Sequence, residues 1–332
     1  MLLGEMFKKT VEGEVGIEVE QEFQNYIDPF DSNTWTTHED GSLRNAGYEY
    51  VTKKPIHRTE VKGALTSLAT FLKKHDKIND HNSPRTSIHI HINTLDCTPQ
   101  HVWSWVFAYW LLDTLMVELC GIYRVTNLFC LRLRDATNIL GIVENELMST
   151  NYPHFDTFNG DGLRYSSQNL MALYKFRSIE YRAKGGRFNP DDTKEWIEAL
   201  LAIKDAAKEF NTPADIISYY FSVGPNAFAR KFLTNAYYNK VVGIDKYQDK
   251  MLYNARLLMM LAGKINWDKI LSSKNDTTFK YYSKPKKEAK MEQPLNLENV
   301  MRANNAFLQQ AGVDLIAQAN LLRNARPRRN EI

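Results

Sequence analysis

The sequence predicts an α+β fold: an antiparallel sheet with helices on one face and its other face open. Two observations carry this prediction. Short segments alternate between apolar and polar side chains, and longer segments with apolar residues at helical spacing lie between them. Strands of a parallel sheet covered on both sides read as continuous apolar runs, whereas each strand here has one apolar and one polar side. The polar side is where function is expected.

The elements follow in order. Residues 15–23, VGIEVEQEF, alternate, and residues 33–52 read as a hairpin around Asp40-Gly41. Val61, Leu65, Leu68 and Leu72 form one stripe of a helix over 61–74. Residues 86–93 alternate again, and a long helix is expected over 102–120. The apolar stretch 102–123 contains Asp113 and Glu118, and isolated charges are costly in a bilayer, so it reads as a buried helix of a soluble protein. Helices are expected near 135–148 and 167–174, then a strand over 176–182 and a turn at Gly185-Gly186. Asn189-Pro190-Asp191-Asp192 offers a helix start, followed by the stripe Trp196, Leu200, Ile203, Ala207 and Phe210. From about Ser283 the character changes to KPKKEAK, Pro294, an amphipathic segment from Leu297 to Leu322 and the basic end RNARPRRNEI. The expected organisation is a main domain over 10–283 and an appendage over 284–332 comprising linker, amphipathic helix and basic tail.

Composition narrows the function classes. Of 332 residues, 43% are hydrophobic and 12% aromatic, which excludes global disorder. The 42 basic and 39 acidic side chains leave a net charge of +3, too little for a general polyanion binder. The excess belongs to residues 284–332, which carry +4 while the remainder carries −1. Nucleic-acid contact is therefore expected only weakly, through the tail. Cys97, Cys120 and Cys130 form no two-residue-spaced pair, and the opening MLLGEMFKKTVEGEVG is acidic without a long apolar core. A cytoplasmic location is expected.

In VGIEVEQEF, Glu18, Glu20 and Glu22 share one side of the strand and Ile17, Val19 and Phe23 the other. A solvated edge is the simpler account of a single Glu-x-Glu, and a divalent cation held by converging carboxylates is the sharper one. In TSIHIHIN, Ser87, His89, His91 and Asn93 oppose three isoleucines, which favours a ligand or phosphate-contacting pair of histidines. FRSIEYR places Ser178, Glu180 and Arg182 together, where acid and base can simply pair. Glu49 lies in GYEYVT, where the alternation leaves its facing open. Together these strands offer carboxylate, imidazole and guanidinium groups to one face, a set suited to Mg²⁺ and a nucleoside triphosphate. Neither GxxxxGK[ST] nor GxGxxG is present, so metals and arginines would hold such a ligand.

The order of GIEVEQEF, EDGSLRNAGYEYVT, SIHIHIN, GIYRVTNLFC and RYSSQNLMALYKFRSIEYRAKGG resembles the glutamine synthetase and glutamate–cysteine ligase superfamily, and more closely the amidoligases of phages and bacteria. The resemblance spans residues 16–187. It implies a glutamine-synthetase-like curved antiparallel sheet with helices on its outer face, and an amidoligase-like catalytic domain over 10–283. The implied activity is ATP-dependent carboxylate–amine ligation through an acyl phosphate, with two or more Mg²⁺ for which Mn²⁺ can substitute. By residue-wise carry-over, Glu18, His89 and Glu180 hold one Mg²⁺ and Glu20 and Glu49 another. His91, Arg182 and Arg124 contact phosphates, and Glu22 is an extra acid that is one candidate for the base. The expected substrates are a small-molecule or peptide carboxylate and an amine, with no membrane partner, and the C-terminal helix is the expected surface for self-association or a protein partner. If the chain is phage-encoded, its location would be the host cytoplasm. Two rival readings are a metal-dependent hydrolase using His89 and His91, and an inactive ligase-fold binding protein acting through its C-terminal helix.

Overall fold

In the computed structural model, residues 1–267 are described except 45, 80–82, 126, 150–152, 161–163 and 242. The expected linker, helix and basic tail over 284–332 lie outside the described residues. The strands are β1 (Val15–Phe23), β2 (Trp35–Glu39), β3 (Ala46–Thr52), β4 (Ser87–Asn93), β5 (Gln168–Asn169) and β6 (Ser178–Gly185). The helices are α1 (Leu3–Phe7), α2 (Val61–Lys74), α3 (Pro99–Leu119), α4 (Ile122–Val125), α5 (Asn138–Met148), α6 (Met171–Lys175), α7 (Pro190–Ala207), α8 (Pro213–Phe232), α9 (Asn235–Asn239) and α10 (Gln248–Lys264).

The strands form one six-stranded sheet in the order β2-β3-β1-β4-β6-β5, with every neighbouring pair antiparallel. The α+β class and the antiparallel sheet are as expected, but the sheet is open and not strongly curled, unlike the curved sheet that the resemblance implies. Period-two alternation decides its two sides: Ile17, Val19, Ile88, Ile90, Ile92 and Tyr181 are fully buried among the helices. Helix α2 packs against α7, and α7 and α3 in turn reach β4 and β6. Its expected stripe of Val61, Leu65, Leu68 and Leu72 is buried.

Helix α3 begins three residues before its expected start because Thr98 caps it, accepting from the His101 N–H at 3.2 Å, with Pro99 in the first turn. It is long and apolar enough to cross a membrane, yet nearly all of it is enclosed by the fold. Asp113 is buried within it and accepts from Ser167 Oγ at 2.5 Å and the Leu133 N–H at 2.6 Å. Helix α10 is tied to α3 where Asn254 Nδ2 donates to the Trp110 carbonyl at 2.8 Å. Asn189 and Pro190 start α7 as expected, but it ends at Ala207, and Phe210 stacks on Phe232 of α8. Helix α8 is broken at Gly224, whose φ of 78° is followed by Pro225.

Two further expectations change. The helix expected over 167–174 is a two-residue edge strand followed by a short helix, because Gln168 and Asn169 pair with Tyr181 and Glu180. The Asn169 side chain then accepts from the Met171 N–H at 3.0 Å and opens α6. The strand expected over 176–182 starts only at Ser178, since Arg177 has a φ of 59° and is not extended.

Candidate active site

Register brings the polar groups together. Glu18 pairs with His89 across β1–β4, His91 with Glu180 across β4–β6, and Glu20 with Glu49 across β1–β3. Glu49 therefore faces the same side as the other acids, the point its own strand leaves open. Between Ile88 and Ile90 the β4–β6 register slips, so that two residues of β6, Arg182 and Ala183, fall opposite His89.

Glu18 is the centre of the cluster. One of its oxygens lies 3.1 Å from His89 Nδ1 and the other 3.1 Å from His91 Nε2. Burial alone would raise its pKa, but the two histidines outweigh burial and hold the carboxyl well below the usual range. Glu180 is buried too, and is likewise held low by the charges of His91 and Arg182. It accepts from Asn169 Nδ2 at 2.7 Å and from an Arg182 terminal nitrogen at 2.5 Å. The simple acid–base pairing of Glu180 and Arg182 is thus real, and both residues also line the site. Glu20 accepts from the backbone N–H and Oγ of Ser87 at 2.8 and 2.6 Å. Glu49, half-buried and facing Glu18 and Glu20, is pushed up to about 7, by burial first and then by those two charges.

These groups line a cavity of about 330 Å³, within the range of ligand sites. Of the residues singled out from sequence, Glu18, Glu20, Glu49, His89, His91, Glu180 and Arg182 line it. Glu22 and Arg124 do not. Glu22 is on the polar side of β1 but opposite Gly47, and it accepts from the Arg44 N–H at 2.6 Å. There it secures the β2–β3 turn, where a Cβ on Gly47 would collide with Leu43. Arg124 is buried and spends its guanidinium on the carbonyls of Ala183 and Arg182, at 2.9 and 2.7 Å. It braces the irregular stretch of β6 and does not line the cavity.

The cavity also contains Asp40, Arg85, Arg164, Lys175 and Asn169, together with Phe129, Tyr165 and Phe176. Arg85 was within reach of the sequence, since it continues the odd-numbered alternation of Ser87, His89 and His91. The others lie on turns, on the two-residue strand or, for Lys175, at the end of the five-residue helix α6, all too short to carry a periodic signal.

The donor set fits divalent cations. Two groups, Glu18 with His91 and Glu180, and Glu18 with Glu49 and His89, each bring their ligand atoms within 4.8 Å of one another. This grouping differs from the expected one: His91 joins Glu180, and Glu49 joins His89 and Glu18 in place of Glu20. His91 Nδ1 contacts Ser178 Oγ at 3.0 Å, while its buried Nε2 has no well-aligned hydrogen-bond partner despite the nearby Glu18 oxygen. A histidine oriented through one nitrogen, with the other facing a carboxylate, can present that second nitrogen to a cation shared with the carboxylate. Arg85, Arg164, Lys175 and Arg182 on the same cavity suit an anionic ligand beside those cations.

No curated protein matches the chain. The model of the family described as “Putative amidoligase enzyme” matches residues 6–204. That stretch is more than half of the chain and includes all six strands. Its description implies an amide-bond-forming ligase, and with a match of this extent the chain belongs to that amidoligase family.

Proposed function

We propose that this protein is an ATP-dependent ligase that joins a carboxylate to an amine, on a sheet related to that of glutamine synthetase, with magnesium ions held at its polar face. The observation that carries the proposal is the pair of ligand groups sharing Glu18, in a cavity that also presents four cationic side chains. Glu18, His91 and Glu180 would hold one ion and Glu18, Glu49 and His89 another. ATP with its Mg²⁺ supplies the phosphoryl group that converts an unreactive carboxylate into an acyl phosphate open to amine attack.

The side chains do the rest by position and charge. Arg182, held against Glu180, brings a fixed positive charge to the floor of the cavity, where negative charge develops during transfer. Phe129, Tyr165 and Phe176 form apolar walls that reduce access of water to a reactive acyl group. Glu22 lies outside the cavity, which leaves Asp40 and Glu20, the cavity carboxylates in neither ligand group, as the candidates to accept the amine proton.

The test is incubation with ATP, Mg²⁺ and pooled carboxylates and amines, following ADP and identifying products by mass spectrometry. Substrate-dependent ADP and an amide product are expected from the wild type and not from Glu18→Ala or Glu180→Ala. ADP formation unchanged in both variants would overturn the metal assignment. Amide hydrolysis without ATP would favour the metal-dependent hydrolase instead.

A further inference from the structure

Arg177 closes α6 and precedes β6, and its backbone is left-handed, with a φ of 59°. A residue just past a helix end often takes this conformation, but it is usually glycine, because any Cβ is strained there. Here a bulky side chain occupies the position and is fixed from several directions. The Arg177 carbonyl accepts from the Thr94 N–H at 3.0 Å and from Thr94 Oγ1 at 2.7 Å. One terminal nitrogen donates to the carbonyls of Leu173 and His154, at 3.0 and 3.1 Å, and the guanidinium lies 3.8 Å from the centre of the Phe7 ring.

The two neighbours of Arg177 both touch His91. On one side, Ser178 Oγ lies 3.0 Å from His91 Nδ1. On the other, the Phe176 ring meets the imidazole edge-on, with centroids 5.6 Å apart and planes at 86°. Phe176 is 63% exposed, so burial in the core does not account for where it stands. Strained backbone held by surrounding contacts is characteristic of functional sites.

We propose that Arg177 is a positioning residue for His91: its left-handed backbone sets Phe176 and Ser178 against the imidazole and so aims Nε2 into the cavity. An extended residue at 177 would send the chain on in a different direction and separate these two contacts. The consequence for cation binding rests on His91 being a ligand as proposed above; the placement of the ring does not.

Arg177→Gly and Arg177→Val separate backbone from side chain, because both lose the same guanidinium contacts while only glycine accepts a positive φ freely. The first readout is the imidazole ¹⁵N–¹H spectrum of full-length, metal-free, ¹⁵N-histidine-labelled protein, with His91 assigned by the loss of its signals in His91→Gln. The His91 signals are expected to stay in place in Arg177→Gly and to move in Arg177→Val, with the circular dichroism of both like wild type. The second readout is Mn²⁺ binding by electron paramagnetic resonance, expected within about threefold of wild type for glycine and at least about tenfold weaker for valine. His91 signals that coincide with wild type in Arg177→Val, or that move equally in both variants, would overturn the proposal. Should the valine variant not fold, Arg177→Ala takes its place in the same comparison. Absence of Mn²⁺ binding by the wild type would count against the cation site while leaving the spectral test of Arg177 intact.

Discussion

The two faces of the sheet are built from the same strands and solve opposite problems. On the helix side, Ile17, Val19, Ile88, Ile90 and Ile92 gain by leaving water, and the side chain one residue away on the other face never enters into it. On the cavity side, Glu18, Glu49, Glu180, His89 and His91 are held close together at a cost, and each depends on the identity of its cross-strand neighbour. Residue type and parity are therefore enough to assign a side chain to the helix face. On the polar face they are not: Glu18 and Glu22 share a strand and a parity, yet one joins two histidines and the other secures a turn.

The largest effect that would test this contrast is on the cavity face. Glu18→Ala removes a ligand from both groups and is expected to weaken Mn²⁺ or Mg²⁺ binding by at least about 100-fold, equivalent to roughly 2.7 kcal/mol, in a calorimetric titration. Its melting temperature is expected to change little. On the helix face the opposite pattern is expected. Ile90→Ala should lower unfolding free energy by about 2–5 kcal/mol in urea and leave the cation affinity of the folded protein near that of wild type.

The faces are also expected to govern different parts of the pH profile. Glu49 keeps its proton in the folded protein up to about 7 but loses it near 4.5 when unfolded. Stability of the metal-free protein should therefore fall as pH rises from about 4.5 to about 7, and Glu49→Gln should flatten that decline. His101, buried where α3 meets α7, donates from Nε2 to the Lys204 carbonyl at 2.7 Å, and burial lowers its pKa from 6.5 to about 4. The unfolded chain takes up its proton first, so this contribution is full above 6.5 and is lost as pH falls towards about 4. His101→Gln should flatten that acid side. Both are read from melting temperature against pH. The smallest effect is expected at Glu22→Gln, about 1 kcal/mol of stability with unchanged cation binding, since Glu22 serves the turn and not the cavity.

The same contrast explains what the sequence made legible. Strands β1 and β4 and helix α2 follow from periodicity because their apolar sides repeat over 7 to 14 residues, broken in β1 only by Gln21. The seven cavity residues read in advance all lie on strands with such a repeat or opposite one. Strand β5 is two residues long, too short to show any period, and with it went Asn169 and its bond to Glu180. Arg124 looked free to meet a phosphate because sequence gives no sign that the carbonyls of an irregular β6 would need its donors. The family resemblance supplied the ligand residues, but their division between two groups depends on side-chain geometry across three strands, which no single strand records.

Asp113 bears on how the chain is made as well as how it stands. Before the fold exists, α3 is a 21-residue stretch apolar enough to partition into a bilayer as it emerges from the ribosome. An aspartate about two-thirds of the way along such a stretch opposes insertion, by less than the roughly 2.5–3.5 kcal/mol of a helix-centre charge. That same carboxylate must later be accommodated in the core, where burial pushes it up to about 7 and Ser167 and Leu133 supply its donors. Asp113→Leu would be expected to divert a share of newly made chains to membranes, detectable by fractionation of cells expressing it, before any question of folded stability arises.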